Sequence, residues 1–190
     1  ETLSALVKQN LDMNFPDASF SWQGGEPMLI GLDFYKTAVE LMVQHGRKGH
    51  NIGNAIQTNG VLINDEWAEF FNKYSFLLGV SLDGPRWLHE EHRGKTFSQV
   101  ISGIEILAKR GVEFNVLCVV NKTNAVYPKD VFNFFAETGI THVQFIPCIE
   151  ESAKAQETSP VAISPEEYGD FLCAIFDLWQ GSVDGTPRVR

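Results

Sequence analysis

Apolar positions along the chain switch repeatedly between a helical spacing of three or four residues and short continuous runs. Leu3, Leu6, Val7 and Leu11 fall on one face of a helix over 1–13. Ser19 to Gln23 then reads as a short strand, stopped by Gly24-Gly25 and Pro27, because paired glycines and a proline end regular pairing. Helical spacing returns from Leu32 to His45 through Phe34, Ala38, Leu41 and Met42. Asn54 to Gln57 is the next strand, ending in Thr58-Asn59-Gly60, and Asn64 can cap a helix that runs to Lys73.

The alternation continues to the end of the readable pattern. Phe76 to Leu82 is an apolar strand closed by Asp83-Gly84-Pro85, followed by a polar loop and a helix from Phe97 to Arg110 that Gly111 stops. Phe114 to Val120 is almost wholly apolar, as a strand covered on both faces requires. A helix over Lys129 to Thr138 and a strand from His142 to Ile146, ended by Pro147, complete five strands in strict alternation with helices. That order implies right-handed crossovers and a parallel sheet, doubly wound or curled into a barrel. Residues 150–160 carry no periodicity and read as a loop, and Ser164-Pro165-Glu166-Glu167 starts a last helix through Trp179. The chain opens within a helix and closes on a turn-rich stretch from Gly181 to Pro187, so it reads as a cut through a larger domain.

Composition narrows the class of function. With 190 residues and 44% hydrophobic content, the chain can bury a core. A formal charge of -9 argues against nucleic acid as a partner, since binding phosphates takes clustered Lys and Arg. No apolar stretch reaches the roughly 20 residues needed to cross a bilayer, so no membrane partner is expected. Cys118, Cys148 and Cys173 are too far apart for a CxxC-type knuckle and odd in number for a disulfide framework, which favours a reducing cytoplasm.

Ligands of parallel α/β folds collect at the carboxyl ends of the strands. After the first strand stands Trp22-Gln23-Gly24-Gly25-Glu26-Pro27, whose glycines let backbone carbonyls approach a ligand and whose Glu26 offers an anion. Gln57-Thr58-Asn59-Gly60 offers amides and a hydroxyl to a sugar, and Ser81-Leu82-Asp83-Gly84-Pro85 offers the Ser81 hydroxyl. Gln144-Phe145-Ile146-Pro147-Cys148 has apolar residues able to cover a flat ring. Each segment taken alone is also an ordinary turn or strand end.

Other features have structural readings. His89-Glu90-Glu91-His92 lacks the spacing of HExxH and reads as a solvated loop. Cys118 and Cys173 read as small core residues, and Cys148 as structural. Phe132, Phe134, Phe135, Phe171 and Phe176 read as packing on the sheet, and Asp83 as a turn-forming carboxylate.

In their joint order, WQGGEP, QTNG, SLDGP followed by HR, and QFIPC resemble the strand-end motifs of the radical S-adenosylmethionine superfamily. Together with the stretch Phe114 to Asn121, they are most similar to the anaerobic sulfatase-maturating enzymes. The resemblance covers nearly the whole chain. It implies an α/β fold, a partial (β/α)6 barrel whose second to sixth strands lie here, so that residues 1–190 form an incomplete core domain. It implies that Gly24, Gly25, Glu26 and Pro27 hold the methionine ammonium of S-adenosylmethionine, and that Ser81 and Arg93 meet its carboxylate. A guanidinium suits a carboxylate, and backbone carbonyls suit an ammonium. By the same resemblance Gln23 lies close to cofactor and substrate, Asn59 near the ribose, and Ile146 to Ile149 against the adenine.

The implied activity is oxidation of a Cys or Ser of a sulfatase polypeptide to Cα-formylglycine, with a reductant such as flavodoxin or ferredoxin. The family's CxxxCxxC motif, which ligates three irons of a 4Fe-4S cluster, is not among these residues, nor is the cysteine-rich domain of the auxiliary clusters. The expectation is therefore a piece of a longer chain, inactive alone and without a catalytic residue of its own. Three rivals stay open: another radical enzyme acting on peptides, a cluster-free scaffold relative, and a metal-dependent α/β barrel enzyme using His89 and His92.

Overall fold

A computed structural model describes residues 1–13, 16–149 and 159–181. Strands and helices alternate, and the five strands stand in the sheet in the order β1-β2-β3-β4-β5. The chain divides into two compact units, Glu1–Gly79 with Gly103–Glu113, and Val80–Ser102 with Phe114–Arg190.

In the first unit, α1 (Thr2–Asp12) precedes β1 (Asp17–Trp22), a 3-10 turn (Pro27–Ile30) and α2 (Leu32–His45). Strand β2 (Asn51–Thr58) and α3 (Asp65–Lys73) follow. Strands β1 and β2 pair in parallel, with Phe20 opposite Asn54 and Trp22 opposite Ile56. Val7, Leu11, Phe20, Ala38 and Met42 form one buried cluster, which explains the helical spacing of Val7 and Leu11 and of Ala38 and Met42. A second centre is aromatic: Tyr35, 1% exposed, stands edge-on to Trp67 with centroids 5.6 Å apart. Burial of one such ring stabilises by about 1.5–3 kcal/mol. The Asn64 side chain accepts from the Trp67 amide at 3.0 Å, so the expected cap starts α3.

Strand β3 (Phe76–Ser81) leads to α4 (Arg86–Arg93), α5 (Phe97–Arg110), β4 (Phe114–Val120), α6 (Pro128–Glu137), β5 (Val143–Pro147) and α7 (Pro165–Gly181). In the second unit β4 and β5 pair in parallel, with Cys118 opposite Phe145. Phe145 packs edge-on against Phe171 at 5.3 Å, which seats α7 on β5. The reciprocal capping box forms as expected: Glu167 accepts from the Ser164 amide at 2.9 Å, and Ser164 Oγ from the Glu167 amide at 3.2 Å.

Three expectations are corrected. The polar stretch after β3 is not a loop, because it contains helix α4, held by an Arg86–Glu90 pair at 2.9 Å one turn apart. His89 there is fully buried rather than solvated. Cys173 and Phe176 are exposed on α7, not in the core, because this helix turns Phe171 and Ile175 inward instead. Most of the loop expected over 150–160, and the stretch after Gly181, lie outside the described residues.

Candidate functional site

At the end of β1 the chain must turn sharply, and only glycine does so at low cost with φ of +110° at Gly24 and +56° at Gly25. A Cβ built on either would meet nothing within 4 Å, so the glycine backbone of this turn borders open space. Gln23, Gly24 and Gly25 are exposed, and Glu26 and Pro27 are half-buried.

Glu26 is not a spare anion. Its Oε1 accepts from the Met28 amide at 3.1 Å and from the Thr58 hydroxyl at 2.7 Å, and Oε2 accepts from the Asn59 amide at 2.7 Å. One carboxylate thereby caps the 3-10 turn and braces the end of β1 against the end of β2. Buried Thr58 passes the link on by accepting from the Gly60 amide at 3.1 Å. Asn59 is exposed, and its Oδ1 accepts from the Val61 amide at 3.0 Å. The Tyr35 hydroxyl donates to the Pro27 carbonyl at 3.0 Å, and burial, with the Glu26 charge second, pushes its pKa up to about 12.

Behind the β2 turn stands a residue that periodicity does not reveal. Gly103 lies where a Cβ would come within 2.9 Å of the Gly60 carbonyl and 3.1 Å of Ile63 Cβ. A glycine inside an otherwise regular helix was the available signal.

The second unit holds the other strand-end residues. Ser81 closes β3 and is half-buried. Arg93, the last residue of α4, forks onto Asp83: Nε donates to Oδ2 at 2.5 Å, and Nη2 donates to Oδ1 at 3.2 Å. Asp83 is 2% exposed, and its Oδ1 also accepts from the Val119 amide of β4 at 2.9 Å. Asp83 is thus an ion-pair partner between β3, α4 and β4, beyond its place in a turn. Ile149, after β5, is 81% exposed, and the preceding Cys148 is tied by its amide to the Val120 carbonyl at 2.7 Å.

The sequence of residues 3–144 matches the radical SAM superfamily. The chain belongs to that superfamily. Among its relatives, the serine-type anaerobic sulfatase-maturating enzyme of Bacteroides thetaiotaomicron is 44% identical over 94% of this chain and 48% of its own length. The cysteine-type enzyme of Clostridium perfringens (strain 13 / Type A) is 38% identical over 100% of this chain and 52% of its own. The solved structure of native anSMEcpe with bound AdoMet and Cp18Cys peptide matches with a TM-score of 0.91 and 37% identity, over 98% of this chain and 54% of that one. The chain thus spans about half the length of the relatives it matches. The α/β fold with parallel strands, expected from the order of elements, is that of this radical SAM core.

S-adenosylmethionine is the cofactor of the radical SAM superfamily, and two observations fit this chain to it. The Gly24-Gly25 turn exposes backbone in open space. The Arg93 fork uses two of five guanidinium N–H donors and leaves Nη1 without a protein partner among the described residues. A 4Fe-4S cluster does not fit the residues present. Cys118 is buried inside β4 and Cys173 is exposed on α7, and the described residues contain no cluster of three or more His, Cys, Asp or Glu that could hold a metal ion. Burial pushes the Cys118 thiol well above its usual range, the opposite of a ligating thiolate. No helix among the described residues is long and apolar enough to cross a membrane.

Proposed function

We propose that this chain is the S-adenosylmethionine-holding core of an anaerobic sulfatase-maturating enzyme, which oxidises a Cys or Ser of a sulfatase polypeptide to Cα-formylglycine. The open Gly24-Gly25 turn carries the reading, because this superfamily's ammonium-binding motif coincides with glycine backbone that borders open space. Carbonyls of this turn take the methionine ammonium, with Glu26 holding the turn in shape rather than acting as the counter-ion. Ser81 and the outer edge of Arg93 take the carboxylate. Gln23 and Asn59 lie on exposed strand ends, suited to the substrate side and the ribose, and Ile149 offers an apolar surface to the adenine.

When bound with a 4Fe-4S cluster, S-adenosylmethionine supplies the hydrogen-abstracting chemistry, and the residues above orient it. The cluster ligands belong to the full-length protein, and electrons come from a small carrier such as flavodoxin or ferredoxin in a reducing cytoplasm. The likeness to enzymes of both types supports a sulfatase-derived substrate and leaves the choice between Cys and Ser to experiment. Incubating the full-length protein anaerobically with Cys- and Ser-containing sulfatase peptides should yield formylglycine from at least one, read by chromatography and mass. Cleavage of the cofactor to deoxyadenosine with neither peptide oxidised would end the sulfatase assignment and favour another peptide substrate.

A further inference from the structure

The geometry points to Asp83 as the positioning residue of the carboxylate subsite, holding the Nε edge of Arg93 so that its Nη1 edge is presented to the methionine carboxylate. The inference rests on the reading that Arg93 meets that carboxylate, and it adds a residue and a cause.

Arg93 stands at the last position of an eight-residue helix, immediately before Gly94 with φ of +67°. A long side chain at a helix end has many rotamers, and ordering it costs conformational entropy. A carboxylate already in place against one edge removes that freedom before the ligand arrives. Asp83 can do so because it is itself fixed: both oxygens are engaged, by the fork and by the Val119 amide. A guanidinium has two edges able to hold a carboxylate, and the fork occupies only the one made by Nε and Nη2.

The backbone around the pair is fixed by a buried imidazole. His89 Nδ1 accepts from the Asp83 amide at 3.4 Å, so its proton sits on Nε2, which meets Thr96 Oγ1 at 3.0 Å. Thr96 Oγ1 in turn donates to the Arg93 carbonyl at 3.2 Å. His89 is one turn before Arg93, fully buried, and burial lowers its pKa, so it is a neutral spacer. The links Asp83, His89, Thr96, Arg93 and back to Asp83 close a ring in which both members of the ion pair are held by main chain and side chain alike. The arrangement exceeds what a turn carboxylate requires.

Binding of S-adenosylmethionine to the full-length protein, compared with decarboxylated S-adenosylmethionine, isolates the subsite. The second ligand keeps the sulfonium and ammonium and lacks only the carboxylate. Asp83→Asn should weaken S-adenosylmethionine about tenfold or more, and leave the decarboxylated ligand within about twofold, as expected when a charged hydrogen-bonding group is mis-aimed. In an Arg93→Ala background Asp83→Asn should add nothing. Equal weakening of both ligands by Asp83→Asn would reduce Asp83 to a structural role and overturn the inference. So would full affinity in Asp83→Asn while Arg93→Ala weakens S-adenosylmethionine. If Arg93→Ala leaves that affinity unchanged, the assignment of Arg93 itself fails. Should Asp83→Asn not fold, Arg93→Lys decides, because a lysine keeps the charge but cannot fork and bind at two edges. Wild-type affinity in that variant overturns the inference, and a loss close to that of Arg93→Ala supports it.

Discussion

The Tyr35 hydroxyl donates to the Pro27 carbonyl at 3.0 Å, so helix α2 holds the far end of the open Gly24–Pro27 turn. Burial, and secondarily the Glu26 charge, keeps this phenol protonated up to about 12, whereas an unfolded chain releases the proton near 10.0. The bond therefore contributes fully below pH 10, and its contribution falls as pH rises from there to about 12. Tyr35→Phe should cost about 1 kcal/mol at pH 9. Denaturant titrations at pH 9 and 11 should show the gap between wild type and variant narrowing. A gap that stays constant across that range would contradict the placement of the phenol.

Replacing Glu26 tests the brace between β1 and β2. Glu26→Gln keeps an oxygen for Met28 and Thr58 but turns an amide donor toward the Asn59 N–H. The expected loss is about 1–3 kcal/mol, the cost of an unsatisfied donor pair, seen as a lower midpoint in urea with an unchanged slope. Stability equal to wild type would mean that the two strand ends do not depend on this carboxylate.

Gly103→Ala is expected to destabilise by about 1–3 kcal/mol even though alanine favours helix, because the added methyl meets the Gly60 carbonyl and Ile63 rather than space. Thermal unfolding of the full-length variant measures it. A raised melting temperature, the usual result of such a change in an open helix, would refute the close approach.

Buried His89 gives a second pH dependence of opposite sign. Its folded pKa lies below the ordinary 6.5, so its contribution is fully present above that value and declines as pH falls below it, where the unfolded chain takes up the proton first. His89→Gln should cost about 1–3 kcal/mol at pH 7 and have a flatter stability profile between pH 5 and 7. Parallel profiles for variant and wild type would show that His89 is not the titrating group.

Much of the fold follows from local rules that the chain obeys plainly. The spans of α2 and α5 and of β4, the Asn64 cap and the Ser164–Glu167 box all follow from period and capping chemistry. Helix α4 does not, because its residues are almost all polar and only Leu88 and His89 face inward, too few to show a period. For the same reason His89 reads as surface and is core. The glycine turn is legible as the end of a strand, since paired glycines and a proline stop regular pairing, and its chemistry is legible only from the joint order of the strand-end motifs. The bonds of Glu26 to Thr58 and of Asp83 to Val119 are not, because those partners lie 32 and 36 residues away and are brought close by tertiary structure alone. Exposure of Cys173 and Phe176 shows the limit of helical spacing, which places residues on a stripe without saying how wide the covered part is.

The three hydrogen bonds to Glu26 also bear on how pieces of such proteins can be exchanged. A chimaera that imports only the glycine turn of a relative would set its carboxylate against a foreign hydroxyl and amide. One that imports only the Thr58–Gly60 segment would strand the resident acid. Residues 24–27 and 58–60 therefore form one transplantable cassette, discontinuous in sequence, and shuffling libraries should move them together.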